Sequence, residues 1–344
     1  MKKLKVAIIG CGLIAQERHI PAFNKIKNVD LIAACDINED LAKEVAKKYK
    51  IPKVYSDTSE MFKNEDLDLV DICVPPQIHA TVGIEAMNNS CHIIMEKPMA
   101  LNVSDCDQMI ESAARNNVEI CVIHNKNFHK PFIKAKKLVK EGHIGEFVGM
   151  RIFLSTPHWD MIDLKDHWYH KLPGGVIGET GPHMAYMSSE FIKNINEVEV
   201  LAENHLKHPW APNDDFRIEL KGDNGISSVI LAYTTNYWIC DIDIIGTDAM
   251  LRLDLNGMIL TKHSLKELKY GPFVKYYLGN ILQVGGEMLK NVLGDKKIGT
   301  DLVIEEFVYS IINNGKIPVT GEEGREAVRI MEMVVEEYNK KYKL

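Results

Sequence analysis

The sequence predicts two domains of different architecture: an α/β domain built on a doubly wound parallel sheet, then an α+β domain with a mainly antiparallel sheet. In the first part of the chain, short apolar runs alternate with helical patterns, which is typical of βαβ units. In the second part, apolar and polar residues alternate between turn signals, as in antiparallel strands. The length of 344 residues agrees with two domains, which we place at residues 1–124 and 125–344.

The strands of the first domain are expected at residues 5–9, 30–35, 69–74, 92–95 and 119–124. They are nearly continuous apolar runs, which fits a parallel sheet covered on both faces. Helical patterns lie between them, at residues 38–49, 59–64, 79–89 and 102–117. Asn38 and either Asn102 or Ser104 are the expected N-caps.

In the second domain, strand-like segments with alternating polarity extend from Glu146 to Thr261. Asp223-Asn224-Gly225 and Asn256-Gly257 are typical hairpin turns between them. The chain closes with an amphipathic helix predicted over residues 322–342, which is a candidate to pack back on the first domain.

Residues 262–297 follow a less regular pattern, with seven Lys against three acidic residues and several aromatic side chains. We interpret this segment as a surface loop and helix inserted in the second domain. Contact with a membrane surface or a partner subunit is the alternative for such a basic aromatic stretch.

The composition argues against several classes of function. A net charge of -7 argues against a nucleic-acid binder, which needs clustered Lys and Arg. The seven cysteines include no CxxC pair, which favours reduced, buried thiols in a reducing compartment. No apolar signal region precedes the first strand, and no apolar stretch approaches the roughly 20 residues that cross a bilayer. We therefore expect a cytoplasmic protein with no membrane or nucleic-acid partner.

The first predicted strand runs directly into Gly10-Cys11-Gly12-Leu13-Ile14-Ala15, a G-x-G-x-x-A pattern. Gly10 permits a tight turn, Gly12 lets the backbone approach a pyrophosphate, and Ala15 permits close packing of the following helix. The first N–H groups of that helix point at the phosphates. In this strand–turn–helix context, the pattern predicts a dinucleotide site at Gly10, Cys11, Gly12, Leu13 and Ile14 of a Rossmann domain.

Asp36 ends the next strand, close to the expected spacing of about 20 residues. Its carboxylate can accept hydrogen bonds from ribose hydroxyls and repels a 2′-phosphate, so NAD is favoured and NADP stays the alternative. Loops at the carboxyl ends of later strands should line the same cleft, which adds Val74, Pro75 and His79 to the cofactor site. For His79, capping of its helix is the alternative.

Two further motifs carry candidate chemistry. Glu96-Lys97-Pro98 follows a strand of the first domain, so Glu96 and Lys97 join the candidate cofactor residues. In the second half of the chain, Glu179 and His183 are four residues apart and share one face if this segment is helical.

These motifs, in this order, resemble the Gfo/Idh/MocA family of glucose–fructose oxidoreductase, inositol dehydrogenase and related enzymes. The resemblance covers nearly the whole chain and includes Gly10–Ala15, Glu96–Pro98 and the G-G-x-x-x-[acid]-x-G-x-H pattern at Gly174–His183. It implies a Rossmann domain followed by a domain with an open, mainly antiparallel sheet, whose face commonly forms a homodimer or homotetramer contact. It also implies an NAD(P)-dependent dehydrogenase that acts on CH–OH groups of a sugar, a nucleotide sugar, a cyclitol or a related compound.

Alcohol oxidation needs a hydride acceptor, a base and a group that stabilises the developing alkoxide. Histidine, with an ordinary pKa of about 6.5, suits the base, so we assign that role to His183. Lys97 would hydrogen-bond the reacting oxygen and join the proton transfer, and Glu179 would assist. Sugar and inositol dehydrogenases of the family usually carry Asp where this chain has Glu179, so the geometry of this acid is the point of departure.

The segment Thr156–Gly175, rich in Trp, Tyr and His, is the expected substrate loop. Its aromatic faces suit the apolar side of a sugar ring, and we assign substrate contacts to Asn125, Trp159, Trp168, Tyr169 and His183. Three histidines lie in the loop, but their spacing is unlike a structural zinc site, so no metal is expected. Tyr186, three residues after His183, is interpreted equally well as packing.

Two classes of alternative stay open. The chain could be a non-catalytic, dinucleotide-responsive regulator, although retention of Lys97 and His183 argues against that. It could also be an enzyme that oxidises a sugar transiently to enable elimination or glycosidic cleavage. The identity of the sugar, the carbon oxidised, the direction of the reaction and the choice between dimer and tetramer also stay open.

Overall fold

A computed structural model describes residues 3–264, 270–293 and 299–342. The chain divides into two compact units. Unit 1 consists of Met1–Asn125 and Lys297–Arg329, and unit 2 of Lys126–Lys296 and Ile330–Leu344. The first division lies next to the boundary placed at residues 124 and 125, whereas residues 297–329 join unit 1 and so differ from the expected continuous second domain.

The strands, in chain order, are β1 (Leu4–Ile9), β2 (Val29–Cys35), β3 (Lys53–Tyr55), β4 (Leu69–Ile72), β5 (His92–Met95), β6 (Ile120–Val122), β7 (Phe147–Ser155), β8 (Glu197–Glu203), β9 (Asp215–Gly222), β10 (Gly225–Ala232), β11 (Ile239–Gly246), β12 (Met250–Asp254) and β13 (Ile259–His263). The helices are α1 (Ile20–Phe23), α2 (Glu39–Tyr49), α3 (Thr58–Asn64), α4 (His79–Asn88), α5 (Val103–Asn116), α6 (Lys130–Lys140), α7 (His158–Met161), α8 (Ile177–Ser189), α9 (Tyr270–Leu293), α10 (Gly299–Asn313) and α11 (Gly321–Tyr342).

The sheet of unit 1 is parallel throughout and has the order β3-β2-β1-β4-β5-β6. This is the predicted doubly wound sheet, in which the order reverses beside β1 and leaves a crevice at the carboxyl ends of the strands. The predicted N-caps at Asn38 and Asn102 are present, since their side chains accept the N–H groups of Leu41 and Asp105. β3 and α10 were not predicted.

Residues 299–329 belong to unit 1 because they pack along its last strand and first helices. Val122 of β6 donates its N–H to the carbonyl of Val319 at 3.2 Å, which extends the edge of the sheet. In α11, Arg325 pairs with Asp107 of α5 at 2.5 Å. α10 contacts α1 and the turn before it.

The sheet of unit 2 has the order β13-β12-β11-β7-β10-β9-β8. All neighbouring pairs are antiparallel except β7 and β10, which are parallel. The predicted turn at residues 223–225 joins β9 to β10. Buried and exposed residues alternate along β9, as expected for a sheet with one covered face.

The segment 262–297 contains the end of β13 and the helix α9, whereas residues 265–269 and 294–298 lie outside the described residues. α9 contacts β13, and Gln283 donates a hydrogen bond to the carbonyl of Leu260. Among the residues that the structure describes, no helix is long and apolar enough to span a membrane.

Candidate functional site

The glycine loop after β1 has one position that must be glycine and one that leaves room for a ligand. Gly10 has φ +93°, and a Cβ there would lie 2.6 Å from the carbonyl carbon and oxygen of Cys73. At Gly12, a Cβ would meet no atom within 4 Å. Internal packing therefore accounts for Gly10 but not for Gly12. The open space beside Gly12 is what the predicted approach of a pyrophosphate requires.

The residues after Gly12 begin a helix whose first turn is open to solvent. Leu13 is 72% exposed and Ile14 is also exposed, while the side chain of Cys11 is buried in the core. Cys11 thus offers only its backbone to this surface. Ala15–His19 form a turn of π-helix before α1 continues the same helix.

Asp36 is held by the glycine loop itself. Its carboxylate accepts the N–H of Cys11 through Oδ2 and the N–H of Asn38 through Oδ1, both at 2.8 Å. The next residue, Ile37, is 95% exposed. The carboxylate therefore has a fixed orientation at the end of β2, which is the placement needed to accept hydrogen bonds from ribose hydroxyls.

His79 has an indirect role. Its ring is buried, with Nδ1 2.8 Å from the carbonyl oxygen of Pro98 and Nε2 2.9 Å from that of Val74. It therefore ties the loop after β4 to the turn after β5. The expected contact between its side chain and the cofactor does not fit this burial, whereas Pro75 is exposed and Val74 partly so.

Glu96, next to Lys97, belongs to a buried ionic cluster that no sequence motif predicted. Nδ1 of His19 is 3.0 Å from both carboxylate oxygens of Asp71, and Nε2 is 3.0 Å from Oε1 of Glu96. Oε2 of Glu96 accepts the N–H of Lys97 at 3.1 Å. The sulfur of Cys73 is 3.7 Å from Asp71.

The electrostatics of this cluster follow from burial and charge. Burial alone would lower the pKa of His19, but the attraction of Asp71 raises it well above its usual value. Burial raises the pKa of the Cys73 thiol to about 12, so this sulfur is neutral near pH 7. Burial would raise the pKa of Glu96, yet the hydrogen bond and charge of His19 hold it below its usual value.

In unit 2, α8 carries the predicted pair Glu179 and His183. Most of the helix is buried, and its partly exposed residues before Ser189 are Glu179, Thr180 and His183. Nδ1 of His183 is 2.6 Å from the hydroxyl oxygen of Tyr186. Tyr186 also accepts the N–H of Lys126 at 3.2 Å, so it is a hydrogen-bonding partner of the histidine and not packing alone.

The predicted substrate residues of unit 2 separate into exposed and buried ones. Trp159 is half exposed and packs edge to face against Trp238, with ring centroids 6.5 Å apart. Trp168 is partly exposed. Tyr169 is only 3% exposed and donates its hydroxyl to the carbonyl of Asp160, so its ring packs inside the loop.

Asn125 lies in a 3-10 turn at Asn125–Phe128, directly after the end of β6, and is partly exposed.

The histidines of the substrate loop do not form a set with one another. His158 instead bonds Asp163 at 2.7 Å, and His208, from outside the loop, bonds the other oxygen of Asp163 at 3.1 Å.

Comparison with known protein families decides the identification. Residues 4–124 match the model described as "Oxidoreductase family, NAD-binding Rossmann fold", and residues 132–252 match the "GFO/IDH/MocA C-terminal domain". The chain belongs to the Gfo/Idh/MocA family. Its unit 1 therefore contains the NAD-binding Rossmann fold of that family, as the glycine loop and Asp36 predicted.

Characterised relatives have several activities. Oxidoreductase P35 of Formosa agariphila is 25% identical over 65% of this chain and 70% of its own length. Myo-inositol 2-dehydrogenase of Thermotoga maritima is 29% identical over 51% of this chain and 50% of its own length. An alpha-N-acetylgalactosaminidase of Shewanella oneidensis is 27% identical over 68% of this chain and 56% of its own length. The chain thus spans about half the length of the last two relatives.

Solved structures agree with the Gfo/Idh/MocA fold. The WlbA dehydrogenase from Bordetella pertussis, solved with NADH and UDP-GlcNAcA, superposes with a TM-score of 0.81 and 17% identity, covering 99% of this chain and 96% of its own. Myo-inositol 2-dehydrogenase from Lactobacillus plantarum gives a TM-score of 0.80 and 20% identity, over 99% and 98%.

Proposed function

We propose that this protein is an NAD-dependent dehydrogenase that moves a hydride between the nicotinamide and a CH–OH group of a sugar, nucleotide sugar or cyclitol. The observation that carries the proposal is the partly exposed face of α8, where Glu179 and His183 lie one turn apart on a helix that is mostly buried. The nicotinamide of the NAD that binds to the Rossmann fold of this family would be the hydride acceptor.

His183 acts as the base in this proposal. When its proton sits on Nδ1 and is donated to the hydroxyl oxygen of Tyr186, the basic lone pair is on Nε2. Lys97 donates a hydrogen bond to the reacting oxygen and stabilises negative charge as the hydroxyl proton leaves. Glu179 sits one helical turn before His183 and assists by orienting a substrate hydroxyl.

The geometry of unit 1 supports the proposed cofactor residues. The open space at Gly12 accommodates a pyrophosphate, and the fixed carboxylate of Asp36 accepts hydrogen bonds from the ribose diol. NAD is favoured over NADP because a 2′-phosphate would meet the negative charge of Asp36.

A panel of polyols, sugars and nucleotide sugars with NAD, followed by NADH absorbance, tests the proposal. Lys97→Ala should reduce turnover by roughly 10³-fold or more while NADH still binds, because the removed group acts on the reacting oxygen. Lys47→Ala, which removes an exposed lysine of α2, is the matched control. Full activity of Lys97→Ala would contradict the assigned role.

Redox-neutral glycosidic cleavage is the second candidate, because one characterised relative is an alpha-N-acetylgalactosaminidase. The two candidates differ in their balance of NADH. Release of an aglycone from a glycoside with no net NADH would favour cleavage, whereas stoichiometric NADH from a free polyol favours the dehydrogenase.

The uncovered face of the unit 2 sheet is our candidate for a homodimer or homotetramer contact. Leu201, Ile226 and Ile245 are exposed there, and the register of the strands places them on one face. Ile226→Asp should lower the mass measured by light scattering, and an unchanged mass would exclude this face.

The seven free thiols favour a reducing compartment such as the cytoplasm.

A further inference from the structure

The buried cluster of His19, Asp71 and Glu96 has no role in the chemistry described so far. Its members come from three places: the π-turn after the glycine loop, the middle of β4, and the turn after β5. The His19 and Asp71 side chains are fully buried, and that of Glu96 is 14% exposed. Because isolated buried charges are costly, such a group is expected only where its charges compensate one another.

The hydrogen bonds indicate how the cluster is charged. A neutral imidazole has one N–H and can serve one carboxylate, whereas both ring nitrogens of His19 face carboxylate oxygens at 3.0 Å. An imidazolium satisfies both. The other titratable groups around it are the neutral thiol of Cys73, Lys97 and two buried histidines. Burial lowers the pKa of His124 to about 3 and also lowers that of His79.

A metal ion is the competing explanation, since one ligand atom from each of His19, Asp71 and Cys73 lies within 4.8 Å of the others. The hydrogen bonds argue against it, because the imidazole already lies in hydrogen-bond contact with both carboxylates.

We propose that His19 is a positioning residue: as a buried imidazolium between Asp71 and Glu96, it keeps Glu96 ionised and oriented, and Glu96 in turn holds the backbone of Lys97. The last contact is the 3.1 Å hydrogen bond from the N–H of Lys97 to Oε2 of Glu96. The proposal rests on the function assigned to Lys97 above.

The same residue connects the cofactor loop to the lysine turn. His19 ends the π-turn that begins at Ala15, three residues after Gly12, and its other partner, Asp71, is two residues before Cys73, the residue that packs against Gly10. Single π-turns inside helices are frequent at functional sites. One imidazolium thus links the end of the pyrophosphate-binding helix to the turn that carries Lys97.

The test compares His19→Gln with His92→Gln in the full-length protein. His92 is a partly buried histidine of the same sheet, at the opposite end of β5, whose Nδ1 accepts the N–H of Glu119. A double variant, His19→Gln with Asp71→Asn, removes one positive and one negative charge together. It keeps the experiment decisive if His19→Gln does not fold.

Histidine NMR and amide exchange are measured with NADH bound, and kinetics and NADH titration are measured separately. Nitrogen NMR of labelled histidine should show both ring nitrogens of His19 protonated at pH 8. Exchange of the Lys97 amide should accelerate in His19→Gln, less in the double variant, and remain at the wild-type rate in His92→Gln. With an active substrate, kcat should fall roughly 10- to 100-fold in His19→Gln, while the Kd of NADH changes less than about threefold, because Lys97 is misplaced and the cofactor loop is kept.

A neutral His19 ring at pH 7, or wild-type exchange of the Lys97 amide in both folded His19 variants, would overturn the positioning role. Zinc in the purified protein that is lost in the double variant would favour the metal site instead. If no substrate is turned over while the Lys97 amide responds as expected, the dehydrogenase assignment fails and the role of His19 stands.

Discussion

Tyr186 is the residue on which the reactivity of His183 depends most directly. Its hydroxyl oxygen lies 2.6 Å from Nδ1 of His183 and accepts the N–H of Lys126. Removing the hydroxyl in Tyr186→Phe takes away the group that fixes the tautomer and the ring orientation. We expect kcat to fall roughly 10-fold, equivalent to about 1.4 kcal/mol, with little change in KM.

Tyr169→Phe is the matched control for that prediction. It also removes one hydroxyl hydrogen bond, to the carbonyl of Asp160, from a buried tyrosine of unit 2. Steady-state kinetics of the two variants separate the roles. Equal losses in both would indicate a general effect on the fold and would contradict a specific role for Tyr186.

At the scale of single residues, the sequence predicts the exposed chemistry better than the buried chemistry. Asp36 and the pair Glu179 and His183 lie in recognisable patterns, and the structure places them at the end of β2 and on one face of α8. His19 and Asp71 carry no such signal, because each looks like a lone polar residue until its partner is known. Asp71 even lies inside an apolar strand, where every residue is buried.

At the scale of elements, the loop between β1 and the first helix makes opposite predictions for its two glycines. Gly10→Ala places a Cβ 2.6 Å from the backbone of Cys73 at a positive φ, so we expect a loss of about 2–4 kcal/mol in the free energy of unfolding. Gly12→Ala meets nothing within 4 Å, so stability should change by less than about 0.5 kcal/mol.

For NADH affinity, we expect the opposite order of the two variants from that expected for stability. Because a Cβ at Gly12 would occupy the space assigned to the pyrophosphate, Gly12→Ala should bind NADH more weakly by roughly 10-fold or more. Chemical denaturation and fluorescence titration measure the two effects. Normal NADH binding by Gly12→Ala would place the phosphates elsewhere.

The elements that the sequence predicted and those it missed differ in length and in polarity pattern. The hairpin from β9 to β10 alternates apolar and polar residues and has a turn at residues 223–225, so its pairing was predictable. β3 has only three residues and gives no measurable period. α10 is largely apolar, and its connection to unit 1 depends on contacts far apart in the sequence, which no local pattern encodes.

For the whole molecule, histidines set the dependence of stability on pH in two directions. Burial lowers the pKa of His124 to about 3 and that of His129 to about 4. The unfolded chain takes up these protons first, so stability falls as the pH drops below about 6.5. The pKa of His19 is raised instead, so its contribution is complete below about pH 6.5 and is lost as the pH rises toward its folded value.

The contribution of His19 can be isolated by comparing the wild type with the double variant His19→Gln/Asp71→Asn. Their difference in unfolding free energy should be constant from pH 5.5 to 6.5 and should then shrink by up to about 1.4 kcal/mol per pH unit. Denaturant titrations across pH 5.5–9 measure it. The double variant is used because it leaves one buried carboxylate that can take up a proton, Glu96, whereas His19→Gln alone leaves two. A difference that grows as the pH rises to about 6.5 and then stays constant would show that His19 is neutral in the folded protein.

The hydrogen bonds that Asp36 accepts from the backbone limit how the coenzyme specificity of the protein could be changed. The carboxylate that would reject a 2′-phosphate is also the acceptor for the N–H groups of Cys11 and Asn38. A substitution such as Asp36→Ser should therefore loosen the loop at the same time as it removes the repulsion, and we expect NAD binding to weaken more than NADP binding improves. Titrations with both coenzymes would reveal this asymmetry. The same carboxylate thus determines both the coenzyme selectivity and the rigidity of the loop. A change of coenzyme therefore requires a second substitution that restores a hydrogen-bond acceptor for those two amides.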